Sequence, residues 1–106
     1  MIRRRRELVT TNLVVAESHA MIARRAGAAV GRRFLEDVES GTTSRVVWAD
    51  DELTRDATAR WIHSMHDKAF SLTDAVSFEV MRREGIRDAF SLDQDYVRAG
   101  YGLLEP

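Results

Sequence analysis

Apolar and polar positions run in two rhythms along the chain and divide it into short strands and longer helices. Residues 7–11, Glu-Leu-Val-Thr-Thr, are short and β-branched, which predicts a strand. Residues 13–26 then turn helical, with Thr11 or Asn12 as N-cap and Gly27 just past the end. Leu13, Val14, Val15, Ala16, Ala20, Met21, Ile22 and Ala23 cover most sides of that helix, so it is expected to be largely buried. Val30, Phe34 and Val38 recur every fourth residue and predict a second helix ending near Gly41. Residues 45–48 read as a short strand. Asp50 or Asp51 caps a third helix, on which Leu53, Ala57, Trp61 and Met65 share one face. Residues 71–84 form a fourth helix ending at Gly85, residues 86–92 a strand, and residues 101–104 a last short one. Phe34, Trp48, Trp61 and Phe70 are the expected aromatic core.

Strands alternating with helices predict one α/β domain over residues 1–106, a mostly parallel sheet with helices on its faces. Ligands of such sheets bind beyond the carboxyl ends of the strands. The acids near those ends are therefore the first candidates for chemistry.

Composition narrows the field. The 106 residues contain no cysteine, which excludes disulfide scaffolds, cysteine-bearing zinc fingers and thiol nucleophiles. No apolar run is long enough for a membrane helix, and the opening Met-Ile-Arg-Arg-Arg-Arg is followed by no apolar stretch, so an intracellular protein is expected. The net charge is −1, but it is unevenly spread: residues 1–33 hold eight arginines and only two acids. That asymmetry hints at a polyanionic partner.

Four acids can reach the carboxyl edge. Glu17 lies in the second turn of the first helix, Asp74 in the first turn of the fourth, and Asp93 and Asp95 follow the strand at 86–92. Converging carboxylates repel one another, and a hard divalent cation, Mg²⁺ or Mn²⁺, is the usual compensation. Carboxylate-held Mg²⁺ suits phosphodiester hydrolysis. Each acid also has a plainer reading. Ser71-Leu72-Thr73-Asp74 nearly spells a capping box. Glu17 in an apolar helix needs a metal or a partner such as Arg24. Asp93 and Asp95 fit an ordinary turn.

Three segments carry a resemblance: Leu8-Val9-Thr10-Thr11-Asn12-Leu13-Val14-Val15-Ala16-Glu17, Phe70-Ser71-Leu72-Thr73-Asp74-Ala75-Val76-Ser77-Phe78, and Ala89-Phe90-Ser91-Leu92-Asp93-Gln94-Asp95-Tyr96 with Gly100-Tyr101 after it. In order and spacing they resemble PIN-domain ribonucleases, above all the VapC-type toxins of bacterial toxin–antitoxin pairs. The resemblance implies a Rossmann-like three-layer sandwich. It implies a metal-dependent endoribonuclease that cleaves single-stranded or looped RNA to 5′-phosphate and 3′-hydroxyl ends. Glu17, Asp74 and Asp93 match the family's second, third and fourth acids, with Asp95 as an auxiliary metal ligand. Thr11 and Asn12 match a polar pair lining the substrate pocket. The implied partners are a VapB-like antitoxin and a second copy of the toxin.

The chain departs from the family in one respect. The family opens on a central strand bearing its first acid, and nothing in residues 1–6 matches it. The sheet is therefore expected to be incomplete at its N-terminal side, with two inner strands facing a gap. A start site assigned too late, or a sequence that is a fragment, predicts an upstream in-frame strand with Asp followed by Ser or Thr. A decaying gene, or a strand donated by another chain, are the other two origins.

Arg3–Arg6 reads as a nucleic-acid contact or a solvated connector, and His19 as a rim or core histidine. His63 and His66 read as partners of a helix C-terminus, and Tyr96 and Tyr101 as packing or base-stacking residues. Three functions compete: a metal-dependent endoribonuclease toxin, a catalytically inactive PIN fold that only binds an antitoxin or a homologue, and a basic-tailed RNA-binding domain. The first depends on Glu17, Asp74 and Asp93, the second on none of them, and the third on Arg3–Arg6.

Overall fold

A computed structural model of the chain describes residues 2–4, 7–42, 44–64, 69–89 and 102–103. Among these residues the strands are β1 (Ile2–Arg4), β2 (Glu7–Thr11), β3 (Ser44–Val47), β4 (Asp88–Ala89) and β5 (Gly102–Leu103). The helices among them are α1 (Asn12–Ala26), α2 (Ala28–Ser40), α3 (Asp51–Ala57) and α4 (Leu72–Glu84), and α3 widens into a π-helical stretch over Thr58–His63. No described helix is long and apolar enough to cross a membrane.

Local chemistry sets the boundaries. Thr11 caps α1 by accepting from the Val14 amide at 3.2 Å. Asp50 caps α3 by accepting from the Leu53 amide at 2.8 Å, and Ser71 caps α4. Gly41 and Gly85 end α2 and α4 in the left-handed conformation that a Cβ disfavours. Gly31 serves another purpose. A Cβ there would lie 3.1 Å from the Ala23 side chain and 3.2 Å from the His19 ring. Its absence lets α1 and α2 close into a tight helical hairpin.

The strand order is β3-β2-β1-β4-β5. β2 and β3 are parallel, as are β4 and β5, but β1 is antiparallel to both β2 and β4. The sheet is therefore mixed, which corrects the expectation of a mostly parallel one. Only two residues separate β1 from β2, and so short a connection permits only an antiparallel hairpin, because a parallel crossover needs a dozen residues or more. The expected gap is also absent. Ile2–Arg4 occupies the place between β2 and β4, pairing Ile2 with Val9 on one side and with Ala89 on the other. Arg3 and Arg4 are thus ladder residues rather than a solvated connector.

The core lies between the sheet and the α3–α4 layer. Ile2, Val9, Leu53, Ala57, Trp61, Phe70, Phe78 and Met81 are all buried within it. Phe78 anchors the aromatic cluster, with ring centroids 5.2 Å from Trp61 and 4.9 Å from Phe70. Helix α4 is buried without interruption from Ala75 to Met81. Helix α1, expected to be largely buried, carries no fully buried residue. It packs mainly against α2, and the pair stands off β3. Trp48, expected in the core, is 73% exposed. Ile2 is the core side chain that β1 contributes among the described residues. Ile2→Ala is expected to cost on the order of 2 kcal/mol, seen as a lower urea midpoint at an unchanged slope.

Candidate active site

Glu17 lies on α1 and Asp74 in the first turn of α4, and a hydrogen bond from Thr73 to Glu17 links the two helices. Helix α1 starts directly at the carboxyl end of β2, so Glu17, one and a half turns in, stays near that end. Its carboxylate accepts a hydrogen bond from the Thr73 hydroxyl, in the first turn of α4. Asp74 is the next residue. That bond ties Glu17 to the first turn of α4, the turn that also carries Asp74, across 56 positions of sequence. Glu17 is exposed, not buried, because α1 is not buried, and its partner is Thr73 rather than Arg24.

Asp74 plays two parts. Its amide donates to the Ser71 hydroxyl at 3.1 Å, and its Oδ2 accepts from the Ser71 amide at 3.3 Å, a complete capping box. The capping role read from the sequence is thus present, and it fixes the carboxylate's direction at the head of α4. Asp93 and Asp95, with His66, Tyr96 and Tyr101, lie outside the described residues. Among the described residues no group of three or more metal-ligating side chains assembles. Glu17 and Asp74 carry hard oxygen donors of the kind that suits Mg²⁺ or Mn²⁺.

Thr11 is buried, and its hydroxyl is committed to capping α1. Asn12 turns its Oδ1 to the Ala49 amide at 2.8 Å, tying the start of α1 to the segment after β3 and leaving its NH₂ group for other partners. His19 lies half-buried on α1, under Gly31, as a rim residue. His63 is exposed at the end of the π-helical stretch.

The sequence reading missed Glu79. This carboxylate is fully buried in α4 and is met by Arg60 at 3.0 Å, Arg82 at 2.7 Å, Arg83 at 3.3 Å and the Trp61 indole N–H at 3.3 Å. Burial alone would raise its pKa. The hydrogen bond from Arg82 and that from Trp61, then the charges of Arg82 and Arg60, outweigh burial and hold it at about 2, against an ordinary 4.5. The signal was available: an acid between Phe78 and Val80 in the most apolar stretch of α4. The network joins the π-helical stretch to the helix that presents Asp74. A surface counterpart lies at the other end of α4. There Arg45 joins Glu7 of β2, at 3.0 Å, to Glu84, and these hydrogen bonds, Glu84's first, raise its pKa.

No protein-family model matches the chain. The 23S rRNA-specific endonuclease VapC20 of Mycobacterium tuberculosis, in two strains, is 32% identical over 101 residues, covering 93% of this chain and 74% of that protein. The crystal structure of M. tuberculosis VapC20, a sarcin-ricin loop cleaving toxin, superposes with a TM-score of 0.83 at 29% identity, covering 97% of this chain and 78% of that one. The chain belongs to the VapC-type PIN-domain toxins, a family of endoribonucleases.

Proposed function

We propose that the chain is the endoribonuclease toxin of a toxin–antitoxin pair, hydrolysing looped or single-stranded RNA with Mg²⁺ or Mn²⁺. The observation that carries this is the hydrogen bond from Thr73 to Glu17, which ties α1, at the carboxyl end of β2, to the first turn of α4, the turn that also carries Asp74. The relative's name, a 23S rRNA-specific endonuclease, supports a ribosomal RNA loop as substrate. Glu17, Asp74, Asp93 and Asp95 would hold the cation. Bound there, it supplies Lewis acidity and lowers the pKa of a water. The protein's own residues do the positioning: Ser71 orients Asp74, Thr73 orients Glu17, and the NH₂ group of Asn12 is a donor for substrate oxygen. Products carry 5′-phosphate and 3′-hydroxyl ends. A VapB-like antitoxin, a homodimeric state and a cytoplasmic location complete the proposal.

One observation favours a second reading, a PIN fold that binds without cleaving. The central strand of this sheet carries Arg3 and Arg4 and no acid. Induced expression in a bacterial host separates the two. The toxin reading predicts growth arrest with new 5′-phosphate ends at one site in ribosomal RNA. Both are lost in Asp74→Asn and relieved by a co-expressed antitoxin. Growth unaffected by wild-type chain, with intact ribosomal RNA, contradicts it.

A further inference from the structure

A cleft of about 1340 Å³ opens between the α1–α2 hairpin and β3, at the edge of the sheet. Val15 and Ala16 of α1, Leu35 and Val38 of α2, and Val46 of β3 give it apolar walls. Three observations mark it as a place for a ligand.

The first is Trp48 at its mouth. The indole is 73% exposed, although burying a side chain of this size is worth a few kcal/mol. Its backbone is nonetheless held on both sides. Val47 pairs with Thr11, the Ala49 amide donates to Asn12 at 2.8 Å, and the Trp48 carbonyl accepts from the Asp50 amide at 3.0 Å. A rigidly presented, solvent-facing indole is a stacking surface. The second is Ser44, which lines the cleft at 7% exposure and whose hydroxyl has no hydrogen-bond partner among the described residues. A buried hydroxyl left unpaired is costly. The third is position. Trp48 stands level with Asn12, and Glu17 lies five residues further along α1, about 7.5 Å along its axis. That is the reach of a neighbouring nucleotide.

Charge decides which part of a nucleotide fits. Glu7 and Glu39 border the cleft, and the guanidinium of Arg45 is already taken by Glu7 and Glu84. Such a rim repels phosphate and tolerates a neutral, flat, partly apolar group. We infer that the cleft is a nucleobase subsite: an unpaired base adjoining the cleaved phosphodiester stacks on Trp48, with the Asn12 NH₂ group and the Ser44 hydroxyl meeting its polar edge. The inference rests on the ribonuclease reading and names where that enzyme holds its substrate. Base stacking on aromatic side chains is how single-stranded RNA is commonly gripped.

The test is a titration of the Glu17→Gln protein, in Mg²⁺, with a short single-stranded RNA of mixed sequence, read by tryptophan emission. Trp61 is buried, so the long-wavelength emission belongs to Trp48. RNA is expected to quench it. Adding Trp48→Ala is expected to weaken binding roughly 5- to 150-fold, and Trp48→Phe much less. An abasic sugar walked along the RNA is expected to reproduce the loss at one position, where Trp48→Ala then adds nothing. RNA binding with unchanged affinity in Trp48→Ala overturns the subsite and leaves the ribonuclease reading standing. So does a change of oligomeric state in that variant at unchanged RNA affinity, which makes Trp48 a contact between copies. Failure of the parent protein to bind any RNA overturns both.

Discussion

Glu79→Ala is expected to be among the most damaging single substitutions in the chain, costing about 3–5 kcal/mol. The carboxylate is fully buried, and three guanidinium groups and an indole N–H converge on it. Removing it leaves those donors facing one another around a void. Arg60, Arg82 and Arg83 are each between a third and a half exposed, so removing any one of them is expected to cost about 1 kcal/mol or less. Glu79→Gln keeps the shape but not the charge and falls between. Urea melts of the set check this order. A cost near zero for Glu79→Ala would mean that the π-helical stretch and α4 are held together by Trp61 and Phe78 alone. The same network sets an acid limit. The pKa of Glu79 is lowered on folding, from an ordinary 4.5 to about 2, so its contribution is complete above pH 4.5. It is lost as the pH falls from there through 2, and its full size is on the order of 3 kcal/mol. Glu79→Gln is therefore expected to flatten the acid end of the stability curve and leave neutral pH dependence unchanged.

Asp74→Asn is expected to remove RNA cleavage by a hundredfold or more while costing only about 1 kcal/mol of stability. The amide at this position can still receive the Ser71 N–H through its oxygen, so the capping box survives in weakened form. On the proposed function, what disappears is a negative oxygen for the cation. Glu17→Gln is expected to act in the same way, since its amide oxygen still accepts from Thr73. The informative quantity is the split. Cleavage collapses in both variants while melting temperature barely moves. A parallel fall of activity and melting temperature would instead mark both acids as structural. Thr73→Val removes the hydroxyl that orients Glu17 and is expected to lower cleavage without abolishing it, with apparent affinity for Mn²⁺ reduced.

Local signals carried much of this fold. The N-caps at Thr11, Asp50 and Ser71 and the glycines after α1, α2 and α4 are short-range chemistry, and the helix boundaries followed from them within a residue or two. The face of Leu53, Ala57 and Trp61 was likewise legible from spacing, and all three are buried. Relations between distant segments were not. Ile2–Arg4 reads as a basic tail because one apolar residue among arginines has no visible period, and only pairing with β2 and β4 makes it a strand. Apolar content placed α1 in the core, yet burial depends on what a helix packs against, and α1 packs on α2 beside an open cleft. The rule that an acid in an apolar helix needs a partner was applied to Glu17, which is exposed, when its true instance is Glu79. The acids were placed near one edge from the strand-end rule, and the structure ties Glu17 to Thr73 in the first turn of α4. Asp93 and Asp95 lie outside the described residues.

The most direct test is cleavage of a labelled, mostly single-stranded RNA by the purified chain in Mn²⁺, in EDTA, and with Asp74→Asn in Mn²⁺. The account predicts fragments with 5′-phosphate ends in the first and none in the other two. A folded wild-type chain that leaves the RNA intact in Mn²⁺, or one that cuts equally well in EDTA, would contradict it.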